Sequence, residues 1–173
     1  LPVVGVISPA SEKAARLTKN KKVGVIATAT AVKSGAYEKF IKEQNSEIEI
    51  FSAACPLFVP LIEEGLWVDP VTDEIAKRYL NELIDLDIDT LILGCTHYPL
   101  IRSTLGRIIG ENVTLVNPAY ETARELKELL EKRNLLNDKP ILLGEDGHRF
   151  FVSDDEIDDV LILRDIQGQY WPF

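Results

Sequence analysis

Thr90-Leu91-Ile92-Leu93-Gly94-Cys95-Thr96-His97-Tyr98-Pro99 is the stretch that decides the fold. Its first five residues are apolar or small and carry no charge, which predicts a strand buried on both faces, as at the centre of a parallel sheet. A thiol, a hydroxyl and an imidazole follow at the strand's end, and a helix over 99–109 stops at Gly110. Working outward, apolar runs at 2–7, 23–27 and 113–116 read as further strands. Residues 47–51 alternate acids with apolar side chains and read as a strand near an edge. Segments of helical period separate these runs. Ser8 caps the first, with Pro9 in its opening turn, and Ser34 opens a second over 34–44. Residues 57–64 form a short apolar helix or turn despite Pro60. Asp69-Pro70 launches a long helix to residue 86, with Ile75, Tyr79, Leu80, Leu83 and Ile84 as its core stripe, and Asn117-Pro118 starts another to residue 130. Strands alternating with helices predict an α/β fold, a mostly parallel sheet flanked by helices.

Composition narrows the partners. The chain has 173 residues, 46% hydrophobic and 27% charged, the make-up of an ordinary globular protein rather than a disordered one. A formal net charge of −9 argues against nucleic acid, because affinity for a phosphate backbone rests on clustered Lys and Arg. No apolar run approaches the roughly 18 residues of a membrane span, so no membrane association is expected. Two cysteines do not make a disulfide framework, which points to a reducing, cytoplasmic compartment. The chain begins at Leu1 and contains no Met, so it is expected to be part of a longer protein. Beyond residue 134 the pattern weakens. Residues 141–143, 149–152 and 160–163 read as short strands between acidic loops, and Tyr170-Trp171-Pro172-Phe173 is aromatic enough to need a packing surface.

The chemistry concentrates at Cys95, Thr96 and His97, where a buried strand ends, which is the ligand-binding edge of an open α/β sheet. A helix amino end beyond that point favours a thiolate or a substrate carboxylate. His97, two residues on, is placed to donate, accept or orient. The bland alternative is a small packed cysteine followed by a turn-capping histidine, and the residues alone leave both open. Cys55 follows another strand but lies between Ala53-Ala54 and Leu57-Phe58-Val59, apolar surroundings that make a thiol inert. Cys55, Cys95, His97 and His148 are nominal zinc ligands, yet their spacing matches no closed zinc pattern, and no metal is expected. Glu63 or Glu64 faces a cleft, or both are solvated at a helix end. The loop over 28–33 offers the hydroxyls of Thr28 and Thr30 to a small carboxylate, but there is no glycine-rich phosphate loop.

Leu93-Gly94-Cys95-Thr96-His97-Tyr98-Pro99-Leu100 closely resembles a signature of the cofactor-independent glutamate racemases, within the aspartate/glutamate racemase superfamily. Three further blocks are similar to that family in the same order: residues 2–7, residues 23–37 with Lys33-Ser34-Gly35-Ala36-Tyr37, and Ala54-Cys55-Pro56-Leu57-Phe58-Val59-Pro60-Leu61. The resemblance implies two α/β domains that clamp glutamate, a homodimer, and no cofactor. It also implies two cysteines on opposite faces of the α-carbon, one removing the proton as thiolate while the other returns one as thiol, in the synthesis of D-glutamate for peptidoglycan. By motif, Cys95 is one of the two bases, Thr96 holds substrate, His97 assists proton transfer at Cys95 and contacts substrate, Glu63 is the auxiliary carboxylate, and Thr28 is a substrate contact. Residues 5–116 would be the second domain, carrying Cys95, and residues 117–173 a segment of the first domain, whose amino-terminal part is absent.

The chain departs from the family pattern in three places. It contains neither the Cys-Asn-Thr-Ala motif of the second catalytic cysteine nor the Asp-Ser-Gly motif, and Cys55 matches a different, non-catalytic position. Ala31 stands where the family usually has a second Thr, and Asn117 where it more often has Asp. The chain of 173 residues is therefore expected to be inactive alone. Two rival readings stand beside the racemase: a non-catalytic module that binds an amino acid or a protein, and a cysteine hydrolase using Cys95 and His97.

Overall fold

The computed structural model describes residues 3–136. Within them the elements run in the order α1 (Ile7–Leu17), β1 (Lys22–Ala27), α2 (Ala29–Lys33), α3 (Ala36–Gln44), β2 (Glu49–Ala54), α4 (Phe58–Glu63), α5 (Pro70–Asp85) and β3 (Thr90–Gly94). A 3-10 turn (Tyr98–Ile101), α6 (Arg102–Ile109), β4 (Thr114–Val116) and α7 (Pro118–Lys132) complete the set. The four strands form one parallel sheet in the order β2-β1-β3-β4. This is the α/β architecture expected from the alternating pattern.

Alternate residues of each strand point to opposite faces of the sheet, and each face is covered by its own helices. On one face Leu91 and Leu93 of β3 meet Phe58 and Ile62 of α4, Leu80 and Leu83 of α5, and Leu105 of α6. On the other, Val23 and Val25 of β1 and Ile92 of β3 meet Ala10 and Ala14 of α1 and Tyr37 and Ile41 of α3. Residues Thr90 to Leu93 are all buried, as an uncharged run in the middle of a sheet requires.

The sheet register places the site. Ala27 pairs with Ala54 on one side and with Gly94 on the other, so Thr28, Cys55 and Cys95 leave the three neighbouring strands at the same level. Gly94 is required there. A Cβ at this position would lie 2.9 Å from the Ile26 carbonyl oxygen and 2.9 Å from Cε2 of Tyr37. The first neighbour is backbone in the adjacent strand and has little freedom to move.

Several sequence expectations are corrected. Residues 3–6 form no strand: Val3 is 93% exposed, the described sheet has no fifth strand beside them, and α1 begins at Ile7. Without a partner to complete a hydrogen-bonded ladder, an apolar run does not become a strand. Ser8 is therefore inside α1 rather than its cap. The loop over 28–33 contains the short helix α2, which Thr28 caps by accepting from the Ala31 N–H. The edge strand runs over Glu49–Ala54, later than 47–51, because pairing with β1 sets its register. Ile84 is 39% exposed and leaves the α5 stripe, where Thr72 and Ala76 are buried beside Leu80 and Leu83. The strands read at 141–143, 149–152 and 160–163, and the aromatic end, lie outside the described residues.

Asp89 ties the amino ends of the strands together. Its carboxylate accepts from the Lys19 and Asn20 N–H groups and from the Thr90 hydroxyl. Burial works to raise its pKa, but these donors outweigh it and hold the carboxyl below the usual carboxylate range. A depressed folded pKa contributes stability above the unfolded value near 3.9, and that contribution is lost as pH falls through the folded pKa. Asp89→Ala is therefore expected to lower the thermal midpoint at neutral pH, and the difference from wild type should shrink as pH falls below about 4. Gly94→Ala is expected to destabilise the fold by about 1–3 kcal/mol in denaturant unfolding, because the added methyl must push β3 away from Ile26 and Tyr37.

Candidate active site

Beyond Gly94 the chain bends back tightly. The Cys95 N–H reaches the Leu93 carbonyl at 2.9 Å, and the Tyr98 N–H reaches that of Cys95 at 3.3 Å. Tyr98 is fully buried and anchors the turn by donating its hydroxyl to the Cys55 carbonyl at 2.9 Å. Its ring also stands edge-on to Phe58, with centroids 5.2 Å apart. Two strand ends are thus stitched together beneath the site.

Cys95 is half-buried and opens into a cavity of about 280 Å³, whose wall includes Tyr37, Gly94, Thr96, Asn117 and Pro118. The imidazole of His97 lies beside the thiol, with Nδ1 3.9 Å from the Cys95 Sγ and 3.3 Å from the Thr96 hydroxyl. Its other nitrogen, Nε2, is 3.2 Å from a carboxylate oxygen of Glu63. An ionised carboxylate only accepts, so this contact places a hydrogen on Nε2. In the neutral imidazole the lone pair is then on Nδ1, facing the thiol and the hydroxyl. Cys95, His97 and Glu63 form one continuous line from the cavity to solvent, where the Glu63 side chain is 41% exposed.

The other sequence candidates fall in different places. Glu64 caps the carboxyl end of α4, and the carboxylate beside His97 is that of Glu63. Thr28 stands level with Cys95 in the register, but its side-chain oxygen caps α2 and it is not part of the cavity wall. Thr96 is exposed at the cavity mouth, shared between the solvent side and His97. Cys55 is fully buried, and burial pushes its thiol up to about 12, the environment of an inert sulfur. Among the described residues no three Cys, His, Asp or Glu side chains gather as metal ligands. His148 lies outside them. No described helix is long and apolar enough to cross a membrane.

One expectation about electrostatics is revised. The segment after Cys95 is a 3-10 turn, and α6 begins only at Arg102, so that helix does not present its amino end to the thiol. The helix starts that border the cavity belong to α7, through Asn117, Pro118 and Ala119, to α1, through its cap residue Val6, and to α3, through Tyr37. The α7 residues are far away in sequence, and the packing of α7 against α1 and β3 brings them here. Tyr37 is likewise a cavity residue that reads in the sequence as part of the apolar face of its helix. The clue available was a phenol, rather than an aliphatic side chain, next to the Lys33-Ser34-Gly35 turn. Two roomier depressions elsewhere are lined by no cysteine or histidine among the described residues. One, between α1 and α7, is lined by mutually paired charges such as Arg16 with Glu12 and Arg124 with Glu121, and the other flanks β4.

Comparison with known proteins shows the family. The family described as Asp/Glu/Hydantoin racemase matches residues 1–126. A glutamate racemase of Thermoanaerobacter sp. (strain X514) is 50% identical over 151 residues, 87% of this chain and 56% of that protein. A crystal structure of a glutamate racemase isoform from Bacillus anthracis superposes with a TM-score of 0.76 at 40% identity, covering 80% of this chain and 52% of the other. The structure of glutamate racemase from Francisella tularensis in complex with D-glutamate gives a TM-score of 0.73 at 38% identity, covering 80% and 51%. This chain spans little more than half the length of these relatives. The chain belongs to the Asp/Glu/hydantoin racemase family.

Proposed function

We propose that this chain supplies one of the two proton-transfer faces of a cofactor-independent glutamate racemase. The observation that carries the reading is the line of Cys95, His97 and Glu63, with contacts of 3.9 and 3.2 Å. Inverting a chiral α-carbon requires a base on one face and an acid on the other, each of which must hold either protonation state. A thiol at the mouth of a cavity can do so. In this reading Cys95 takes the α-proton as thiolate on one pass and returns a proton as thiol on the other. Nδ1 of His97 exchanges a proton with the sulfur, while Glu63 holds the ring in orientation and favours the imidazolium that forms. Thr96 at the mouth, and Thr28 on the adjacent strand end, contact the substrate. The binding of D-glutamate by the Francisella relative supports glutamate as that substrate.

The opposite face needs a second group. Cys55 is unsuited to it, because it is buried and its thiol is held protonated. The partner cysteine is therefore supplied by protein other than these 173 residues. Residues 5–116 are read as the domain that carries Cys95, and residues 117–173 as a segment of a second domain. In support of that division, Pro118 is the one α7 residue that is buried among the described residues. The protein acts in the cytoplasm, where Cys55 and Cys95 stay reduced, and its product feeds peptidoglycan synthesis. Homodimerisation follows from the family resemblance alone. Family membership favours this reading over a cysteine hydrolase or a bare binding module.

The test is isotopic. The protein that contains this chain, given L-glutamate in deuterated buffer, is expected to release D-glutamate labelled at the α-carbon. Cys95→Ala should abolish that conversion, and His97→Asn or Glu63→Gln should slow it about 10- to 1000-fold with the fold intact. Absence of label in the product, or full activity of Cys95→Ala, would contradict the assignment. The 173 residues by themselves are expected to leave glutamate unlabelled, and racemisation by them at ordinary enzymatic rates would overturn the division between two faces.

A further inference from the structure

One nitrogen of His97 faces two donors. Glu63 accepts the hydrogen on Nε2, so the single lone pair of the neutral ring lies on Nδ1. Two groups stand within reach of that lone pair: the Cys95 sulfur at 3.9 Å and the Thr96 hydroxyl at 3.3 Å. A thiol and a hydroxyl each carry one hydrogen, and one lone pair accepts one strong bond, so the two contacts compete. The hydroxyl has the advantage, because S–H is the weak donor of the two.

Thr96 is also the exposed member of this group, and it lines the same cavity as Cys95. A carboxylate that enters the cavity is a better acceptor for the Thr96 hydroxyl than a neutral imidazole nitrogen. A hydrogen bond to an ionised acceptor is roughly twice as strong as one between neutral groups. Changing partners requires only that the hydroxyl hydrogen rotate. The Nδ1 lone pair is then left to the thiol. When the Cys95 proton passes to it, the S–H bond breaks with its electron pair kept on sulfur and an N–H bond forms. The products are a thiolate and an imidazolium whose other N–H already points at Glu63.

We infer that Thr96 is a positioning residue that couples proton transfer to substrate: its hydroxyl holds the Nδ1 lone pair of His97 away from Cys95 until a carboxylate in the cavity takes that hydroxyl. The inference rests on the reading of Cys95 and His97 as the proton-transfer pair. Its first test is iodoacetamide alkylation of the protein that contains this chain, without glutamate, with the label on Cys95 located by mass spectrometry. The rate follows the thiolate. Thr96→Val keeps the branched shape, removes the competing donor, and is expected to speed Cys95 alkylation about two- to tenfold at pH 7. Thr96→Ser, which keeps a hydroxyl, is expected to stay near the wild-type rate. An unchanged or slower rate in Thr96→Val, or an equal gain in Thr96→Ser, would overturn the inference. So would a gain that persists undiminished at high pH, where the sulfur is ionised in every variant, because it reports easier access. Nitrogen-15 NMR of His97 tests the release. Glutamate is expected to move the wild-type Nδ1 resonance toward its position in glutamate-free Thr96→Val, and a resonance unmoved in a protein that racemises glutamate would sink the proposal. Alkylation needs no turnover, and the isotopic experiment reports the racemase reading by itself, so the two failures are distinct.

Discussion

The site depends on the absence of a side chain at Gly94. At that point β3 passes so close to β1 that a methyl group would meet the Ile26 carbonyl oxygen and the Tyr37 ring together. This close approach lets the central strand end flush with its neighbours, so that Cys95 emerges at the rim of the sheet. It also brings the Tyr37 ring against the base of the turn. A strand displaced here would carry Cys95 away from His97 and Glu63, because those residues are held by different elements. His97 precedes the 3-10 turn anchored by Tyr98, and Glu63 closes α4, which is packed down by Phe58 and Ile62.

Two cysteines leave the strands on either side of β1 at one level and meet opposite environments. Cys55 turns into the core formed by α4, α5 and the 3-10 turn, where a charged sulfur would have no compensating group. Cys95 turns into a cavity beside an imidazole whose far nitrogen is held by a carboxylate. The residue type is the same, and the difference in reactivity follows from what the chain packs around each.

Much of the fold is legible in the sequence because its cues are local. The uncharged run from Thr90 to Leu93 signals burial on both faces, and Asp69-Pro70 and Asn117-Pro118 announce helix starts. Both cues act as read, with Asp69 accepting from the Val71 N–H and Asn117 from the Ala119 N–H. What is not legible depends on distant partners. The apolar letters of residues 3–6 do not reveal that the described sheet offers them no neighbouring strand. Nor does the sequence show that α1, α3 and α7, rather than α6, bring helix starts to the cavity. The candidate site divides in the same way. Cys95 and His97 are adjacent in one motif, and Glu63 is reached through a resemblance. The place of Tyr37 at the cavity follows only from the approach of its ring to Gly94.

The central claim is that Glu63 holds His97 with its open nitrogen toward the Cys95 sulfur. Nitrogen-15 NMR of the imidazole ring measures this directly. The account requires neutral His97 to carry its hydrogen on Nε2 in the wild-type chain, and requires Glu63→Gln to weaken that preference. A hydrogen resident on Nδ1, or a ring indifferent to the loss of the Glu63 charge, would contradict it.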